Sequence, residues 1–378
     1  MLKNKYLWIC LILPLLWFSF DKIFALKFVK DYTIPWKKIE ILFYESKSDL
    51  FQVLLENLEI HKQNNEKIAL VLGSSRSGEF SYKDIKKEFP RTVTYNFSAP
   101  LAGPAFHYYW LERIVAAHKN LEFVILEVDP IMFSRNSLTY TLNYSLDAKF
   151  VWRHSNFLPI RTSNPWKSES DGFNWDEVET FLNKSLFASY RYPPDINAIR
   201  DNRKETFMPI GDTIISVNGM EYKKQFEDSV HEANRTEYGA IPNQIMYHSD
   251  PAFLKKDAEN MAKIYFGNQF KPSLTQITFF RKILNLLAVN KIPVILYWPV
   301  VADPLREEMD NRGLVAEYYE HIHREVQNVR KVHKDFESVF LDPQLSSELK
   351  CRAFVDSVHL SGACYPELFS LFGRSFND

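Results

Sequence analysis

The sequence predicts an α/β protein with a central parallel sheet flanked by helices. A continuous apolar run at 68–72 and a second, mostly apolar run at 121–126 have the length of strands that are buried on both faces. Segments with apolar residues at helical spacing, at 106–118 and 274–289, alternate with such runs. This alternation indicates parallel strands joined by crossover helices. The carboxyl ends of the strands should therefore share one edge, where α/β proteins place their sites.

The remaining elements are predicted in chain order from the same patterns. They are strands at 92–97, 292–297 and 338–341, a helix at 314–333 and a C-terminal helix after Ser361. These elements define one domain over 67–378, preceded by a linker or helical lead-in at 28–66. The segment 135–245 is rich in Asn, Ser, Arg, Tyr and Pro and loses the alternation. We interpret it as an irregular insertion or lid.

Composition excludes several classes of function. The 378 residues include 46 basic and 47 acidic side chains, so the formal net charge is −1 and the basic excess of a nucleic-acid-binding protein is missing. The glycine-containing segment 73–78 lacks the Lys-Ser/Thr ending of a phosphate-binding loop. His321 and His323 are two residues apart and would point to different faces of a helix. No nucleic acid, cofactor or metal is expected.

The N-terminus predicts a membrane anchor. Lys3 and Lys5 precede fifteen uncharged residues at 6–20. A span needs roughly 20 residues, a length reached when 23–26 are added and Lys22 extends towards the membrane surface. We predict that residues 1–27 form a cytoplasmic tip and a transmembrane signal anchor.

A cleaved signal peptide is the alternative interpretation of this segment. The bulky residues Trp17, Phe18 and Phe20 leave no small-x-small cleavage site after the apolar run. Lysines stand on both sides of the run, so the charge distribution alone does not orient the protein in the membrane.

Ser75 is the candidate nucleophile. It follows the first buried strand directly, in Gly73-Ser74-Ser75. A serine at a strand-to-helix turn can expose its hydroxyl while backbone N–H groups face an oxyanion. The alternative is an ordinary helix-capping serine.

His359 and Asp356 are the candidate base and its orienting carboxylate. Residues three apart can share one turn, so Asp356 can fix the tautomer of His359 while the other ring nitrogen faces a serine hydroxyl. The alternative is a solvated surface loop. Cys351 and Cys364 flank His359 and form a candidate disulfide outside the cytoplasm, or two unpaired thiols.

Together these motifs resemble the SGNH (GDSL-type) hydrolase superfamily, over about residues 65–134 and 270–378. Ser75 stands in the nucleophile position of the Gly-Asp-Ser block, with Ser74 replacing the Asp. Asp356-Ser-Val-His359 resembles the final Asp-x-x-His block. The resemblance implies a three-layer sandwich with a central parallel sheet and a Ser-His-Asp triad.

The chain departs from this family at its oxyanion hole. In place of the second block, Asn96, Ser98 and Gly103 are the candidates for oxyanion or substrate contacts. The third block normally supplies an Asn, but here Asp129 occupies that place, and an ionised Asp would oppose an oxyanion. Ser74 and Arg76 are further candidates for oxyanion or substrate contacts. Arg76 could meet an anionic substrate, and the alternative is a solvated arginine.

The overall plan is most similar to membrane-tethered members of the superfamily. These include proteins of teichoic acid D-alanylation and alginate O-acetylation, which work beside a multi-span membrane O-acyltransferase. The resemblance implies a single-pass, periplasmic acyltransferase or esterase that acts on envelope glycans or polymers. One alternative is a non-catalytic accessory protein that binds glycan or docks the acyltransferase. Another is a structural envelope protein.

Overall fold

A computed structural model of the chain describes residues 2–35, 38, 40–156, 164–168, 170–210, 213–241, 247–248, 250–267 and 270–377. The strands in these residues are β1 (Lys67–Leu72), β2 (Thr92–Asn96), β3 (Leu121–Glu127), β4 (Glu205–Ile210), β5 (Thr213–Asn218), β6 (Val294–Tyr297) and β7 (Ser338–Leu341).

Five strands form one parallel sheet, in the order β2-β1-β3-β6-β7. The predicted α/β class with a central parallel sheet is therefore confirmed. The chain leaves β1 for β2 on one side and then crosses to β3 on the other, so β1 and β3 form a topological switch point. In open α/β sheets a crevice lies at the carboxyl ends of such a pair. Because Leu72 pairs with Leu126, the residues that follow β1 and β3 meet at this edge.

Seventeen α-helices are found in the described residues. They are α1 (Leu2–Asp21), α2 (Lys27–Thr33), α3 (Glu40–Glu45), α4 (Lys47–Gln63), α5 (Tyr82–Glu88), α6 (Pro104–Ala117), α7 (Arg135–Tyr144), α8 (Ala148–Arg153), α9 (Trp175–Leu186), α10 (Ala188–Arg191), α11 (Ile196–Asp201), α12 (Gly219–Thr236), α13 (Pro251–Phe266), α14 (Leu274–Val289), α15 (Asp303–Asn311), α16 (Leu314–Val332) and α17 (Tyr365–Asn377).

Helices cover both faces of the sheet. Successive side chains of a strand point to opposite faces, and in β1 Leu70 and Val71 belong to two different cores. The Leu70 core includes buried residues of α4, α6, α14 and α16, such as Leu54. The Val71 core is formed with α5 and α17 and includes Phe372. The two cores give three layers, with the sheet in the middle.

The lead-in at 28–66 is more than a linker. Its longest helix, α4, places Leu50 and Leu54 in the core under β1 with no exposed surface. The predicted helical character is present, but the apolar stripe of α4 makes this helix an integral part of the domain.

The region 135–245 also differs from the irregular insertion that the sequence predicts. Its described residues contain helices α7 to α12 and the antiparallel pair β4–β5. Aromatic side chains join it to the main core: Phe150 and Phe173 pack on Phe279 of α14, with ring centroids 5.8 and 4.9 Å away. The region is therefore an ordered, mainly helical extension of the domain. Some of its residues lie outside those described.

The N-terminal apolar run forms α1, which contains Pro14. Among the described residues, no helix is long and apolar enough to cross a membrane. The transmembrane helix predicted from the sequence is therefore not supported. The apolar run stops at Asp21, which is buried and accepts hydrogen bonds from the backbone N–H groups of Ala188 and Ser189. The added segment 23–26 does not continue α1, because a short 3₁₀ helix begins at Lys22.

Candidate active site

Ser75 lies at the switch point of the sheet, one residue beyond the Gly73-Ser74 turn that ends β1. It begins a short 3₁₀ helix that is capped by the Ser74 side chain. The Ser75 Oγ lies 2.8 Å from Nε2 of His359. The other ring nitrogen of His359 lies 2.9 and 2.8 Å from the two carboxylate oxygens of Asp356. The structure thus brings together the three residues proposed from the sequence as a Ser-His-Asp triad.

The loop that carries Asp356 and His359 is held by hydrogen bonds. Oδ1 of Asp356 accepts the backbone N–H groups of Val358 and His359, each at 2.8 Å. Ser357, the residue after Asp356, donates its hydroxyl and its N–H to Asp257 of α13, at 2.6 and 2.9 Å. One carboxylate therefore fixes the turn from inside and a second fixes it from α13.

The charges of the triad support one tautomer and one direction of proton transfer. Burial alone would lower the pKa of His359, but the hydrogen bond to Asp356 raises it above its ordinary value. Burial opposes ionisation of Asp356, yet His359 and the backbone N–H groups lower the pKa of this carboxyl. With Asp356 ionised, Nδ1–H of His359 donates to it, and Nε2 is left to accept the Ser75 proton.

A second group of charges lies beneath Ser75. Arg76 donates to Glu127 at 2.7 Å and to Asp129 at 2.5 Å, and all three side chains are buried. Glu127 also accepts the hydroxyls of Ser74 and Ser77, both at 2.6 Å. We call Ser74, Arg76, Ser77, Glu127 and Asp129 the buried cluster. It joins the turn after β1 to the end of β3.

The electrostatics of the buried cluster differ between its two carboxyls. Burial opposes ionisation of Glu127, but Arg76 and the serine hydroxyls hold its pKa below the ordinary value. Burial raises the pKa of Asp129, and Arg76 offsets this only in part. Burial disfavours the charge of Arg76 as well, but the two carboxylates raise its pKa. Arg76 stays charged and is committed to partners inside the protein.

A family model described as "Protein of unknown function (DUF1574)" matches residues 1–374. The chain belongs to this DUF1574 family. No curated protein and no solved structure matches it. The site of this DUF1574 protein is therefore interpreted from its own residues.

Asn96 and Ser98, two of the predicted oxyanion or substrate contacts, are hydrogen-bonded to each other in this DUF1574 protein. The side-chain amide of Asn96 donates to the carbonyls of Ser77, Gly78 and Phe80, at 2.7, 3.2 and 3.3 Å. Its Oδ1 accepts the N–H of Ser98 at 3.0 Å, so that backbone donor is occupied. The Ser98 hydroxyl is buried and has no hydrogen-bond partner among the described residues.

The surroundings of Gly103 and Arg76 are closely packed. Gly103 precedes α6, and a Cβ there would lie 2.1 Å from Oγ of Ser137 and 2.5 Å from the Met132 carbonyl. Close packing therefore favours glycine at this position, and the role of its N–H as an oxyanion donor stays a prediction. Arg76 is neither solvated nor free for an anionic substrate, because Glu127 and Asp129 occupy its guanidinium.

The loop of His359 also carries a covalent link. Cys351 and Cys364 form a disulfide with Cα atoms 5.3 Å apart. Cys10 is a free, exposed cysteine. The disulfide closes the segment that presents both Asp356 and His359.

Sequence reasoning missed two residues of α13. Asp257 anchors Ser357, as described above. Tyr265 lies eight positions later, on the same side of the helix, close enough to Asp356, Asp129 and Arg76 for their charges to act on its hydroxyl. Burial raises the pKa of Tyr265, so it stays a neutral phenol that can donate a hydrogen bond. In the sequence, the only clue is that Asp257 and Tyr265 are eight positions apart, at helical spacing. No strand or motif marks α13 as part of the site.

Proposed function

We propose that this protein is a serine-dependent acyltransferase or esterase. The observation that carries the proposal is the continuous hydrogen-bonded series from Ser75 through His359 to Asp356. A serine is a weak nucleophile unless an adjacent base takes its proton. Here the base is within 2.8 Å of the hydroxyl and is itself oriented by a carboxylate.

The proposed reaction has two half-steps. Oγ of Ser75 attacks the carbonyl carbon of an acyl donor while His359 takes the hydroxyl proton. The bond between the acyl carbon and the donor oxygen breaks, and His359 returns the proton to that oxygen. A hydroxyl of a glycan or envelope polymer, or water, then attacks the acyl-enzyme, and His359 takes its proton. Ser75 leaves with that proton, which restores the site.

Oxyanion stabilisation is the less developed part of the proposed site. Ser75 is the first residue of a 3₁₀ helix, where backbone N–H groups have no partner in the helix itself. Its N–H is the donor we assign to the developing oxyanion, and the neutral hydroxyl of Tyr265 is a candidate for a second donor.

The test is labelling of the full-length protein with a fluorophosphonate, which reacts with activated serines. We expect the wild-type protein to be labelled and the Ser75→Ala and His359→Ala variants to remain unlabelled. Ser81→Ala is the matched control, since Ser81 caps α5 in the same connection and lies outside the triad. Absence of labelling in folded wild-type protein would refute an activated serine.

A second function is favoured by one observation. Asp129 stands where the resembling family carries an Asn donor, and it is bound to Arg76 instead. A non-catalytic accessory protein that uses the crevice to bind glycan or to dock a membrane O-acyltransferase needs no such donor. Envelope acylation that is lost on gene deletion but retained in Ser75→Ala would select this function.

We also propose that α1 attaches the protein to a membrane, with the main domain on the periplasmic side. Large apolar side chains are exposed around α1, among them Leu11, Leu15, Trp17 and Phe20. A helix that is apolar on all sides and uncovered by protein is typical of contact with lipid. Flotation of the full-length chain with phosphatidylcholine vesicles tests this attachment, and a chain that stays at the bottom of the gradient would refute it.

A further inference from the structure

Several large apolar side chains are exposed around the base of α1. After α1, the chain exposes Ile23, Leu26 and Phe28. Large apolar side chains of α9 to α11 are exposed too, and Ile196 has 81% of its side-chain surface accessible. Isolated exposed apolar residues are ordinary, but a group of them beside one apolar helix indicates an interaction surface. We call Ile23, Leu26, Phe28, Leu186, Tyr190 and Ile196 the apolar collar.

One half of the collar follows α1 in the chain and the other half lies on α9 to α11. Direct contacts hold the two halves together. At the end of α1, Asp21 accepts hydrogen bonds from the start of α10, at Ala188 and Ser189. Phe18 packs against Phe187, with ring centroids 6.2 Å apart. Lys22 donates to the carbonyl of Leu186. The α9–α10 connection is therefore fixed to the point where α1 leaves the domain.

Helix α11, which carries Ile196, is fixed to α2 and the residues that follow it. The backbone N–H of Asp195 donates to the carbonyl of Thr33 at 2.8 Å. The buried side chain of Asn202 donates to the carbonyls of Asp31 and Ile34, at 3.1 and 2.8 Å. These bonds brace α11 on the segment that follows α1, so Ile196 and Phe28 lie on neighbouring elements.

We infer that the apolar collar rests on the lipid surface and that helices α9 to α11 dock the domain there. The occupant is a bilayer because the collar continues the exposed apolar surface of α1 through Ile23 and Leu26. Lys22 and Lys27, 42% and 64% exposed beside them, are cations that can extend to lipid headgroups. An apolar side chain gains about 25 cal/mol for each Å² removed from water, so several shallow insertions add to the attachment made by α1. The inference rests on the proposed attachment of α1 and gives the region 135–245 a function.

The test uses a fluorescent probe that lipid-borne nitroxides quench. Single cysteines for an NBD label are placed in full-length Cys10→Ser protein, whose remaining cysteines form the disulfide. Ile196→Cys and Tyr190→Cys report on the collar. Trp17→Cys, on α1, is the positive control. Val332→Cys is the matched negative control, since this aliphatic residue ends α16 and is 76% exposed.

In phosphatidylcholine vesicles that contain doxyl-labelled lipid, we expect the collar probes to lose fluorescence as the Trp17 probe does. The Val332 probe should keep its intensity. Collar probes that match Val332 while Trp17 is quenched would overturn the collar and leave the attachment of α1 standing. No quenching at Trp17 would refute the attachment itself, and the collar with it. A blue shift at Ile196 without lipid quenching would show that protein, such as a second copy, covers this surface.

Discussion

Two groups of charged residues lie on either side of Ser75, and they differ in their access to water. In the triad, the side chains of His359 and Asp356 keep 32% and 31% of their surface exposed. In the buried cluster, the corresponding values are 4% for Arg76, 0% for Glu127 and 2% for Asp129. The triad can exchange protons with a substrate, whereas the buried cluster has its charges fixed by partners inside the protein. We infer that the first performs the chemistry and the second holds the turn that presents Ser75.

The largest expected effect is on the triad. Asp356→Asn removes the charge that orients His359 and raises its pKa, so the rate of fluorophosphonate labelling should fall by roughly 10⁴-fold. In the wild-type protein, neutral His359 is the active base, and its pKa is raised. Labelling should therefore decline as the pH falls, with a midpoint above the ordinary histidine value of about 6.5.

Asp356→Asn should also lower the pH at which the residual labelling is half lost. The reason is that no carboxylate then favours the protonated form of His359. A pH series of labelling rates for both proteins checks the shift. Asp84→Asn, on α5, is the control and should leave the rate unchanged. An unaltered rate in Asp356→Asn would remove Asp356 from the proposed mechanism.

The second effect concerns the buried cluster and appears in stability. Arg76→Met leaves Glu127 and Asp129 buried without a cation, and breaking such a pair costs about 3–5 kcal/mol. The free energy of unfolding in urea measures the loss. Lys67→Met removes a cation from an exposed pair with Glu122 and should cost less than about 1 kcal/mol. Equal losses in the two variants would show that the buried cluster does not hold the turn.

The smallest effect separates positioning from chemistry. Asp257→Ala releases Ser357 while leaving all three members of the triad in place. A displacement of His359 by about 1 Å should reduce labelling by up to roughly 100-fold and leave the acid midpoint near that of the wild-type protein. Asp250→Ala, which removes the cap of the same helix α13, is the control. A shifted midpoint in Asp257→Ala would mean that this carboxylate acts on the charge of His359.

The comparison also shows which parts the sequence could predict. Mainly apolar runs bounded by polar turns predicted β1 and β3 to within one residue, and the predicted bounds of α14 and β7 match the structure. Strands buried on both faces leave this pattern because neither face tolerates polar residues. Ser75 and His359 were found from their places after a strand and before the last helix.

Other parts depend on long-range contacts that no local pattern records. Arg76 was interpreted as solvated or ligand-binding, because its partners are supplied by β3, more than fifty residues away. The helices of region 135–245 were missed because their cores are a few aromatic residues, such as Phe150, that pack on α14. The contacts of Asp21 at the end of α1 were also not predicted, because its partners Ala188 and Ser189 are remote in sequence.

The hydrogen bonds of Asp21 fix the position of the domain relative to α1. A flexible tether between an anchor and a domain lets the domain sample many heights, with a span that grows with linker length. Here the last residue of α1 is bound to the start of α10, so the domain has no slack at this junction. With α1 attached to a membrane as we propose, the height of Ser75 above the membrane is set by the fold alone. In the proposed reaction, the acyl donor and its acceptor must both come to that fixed level.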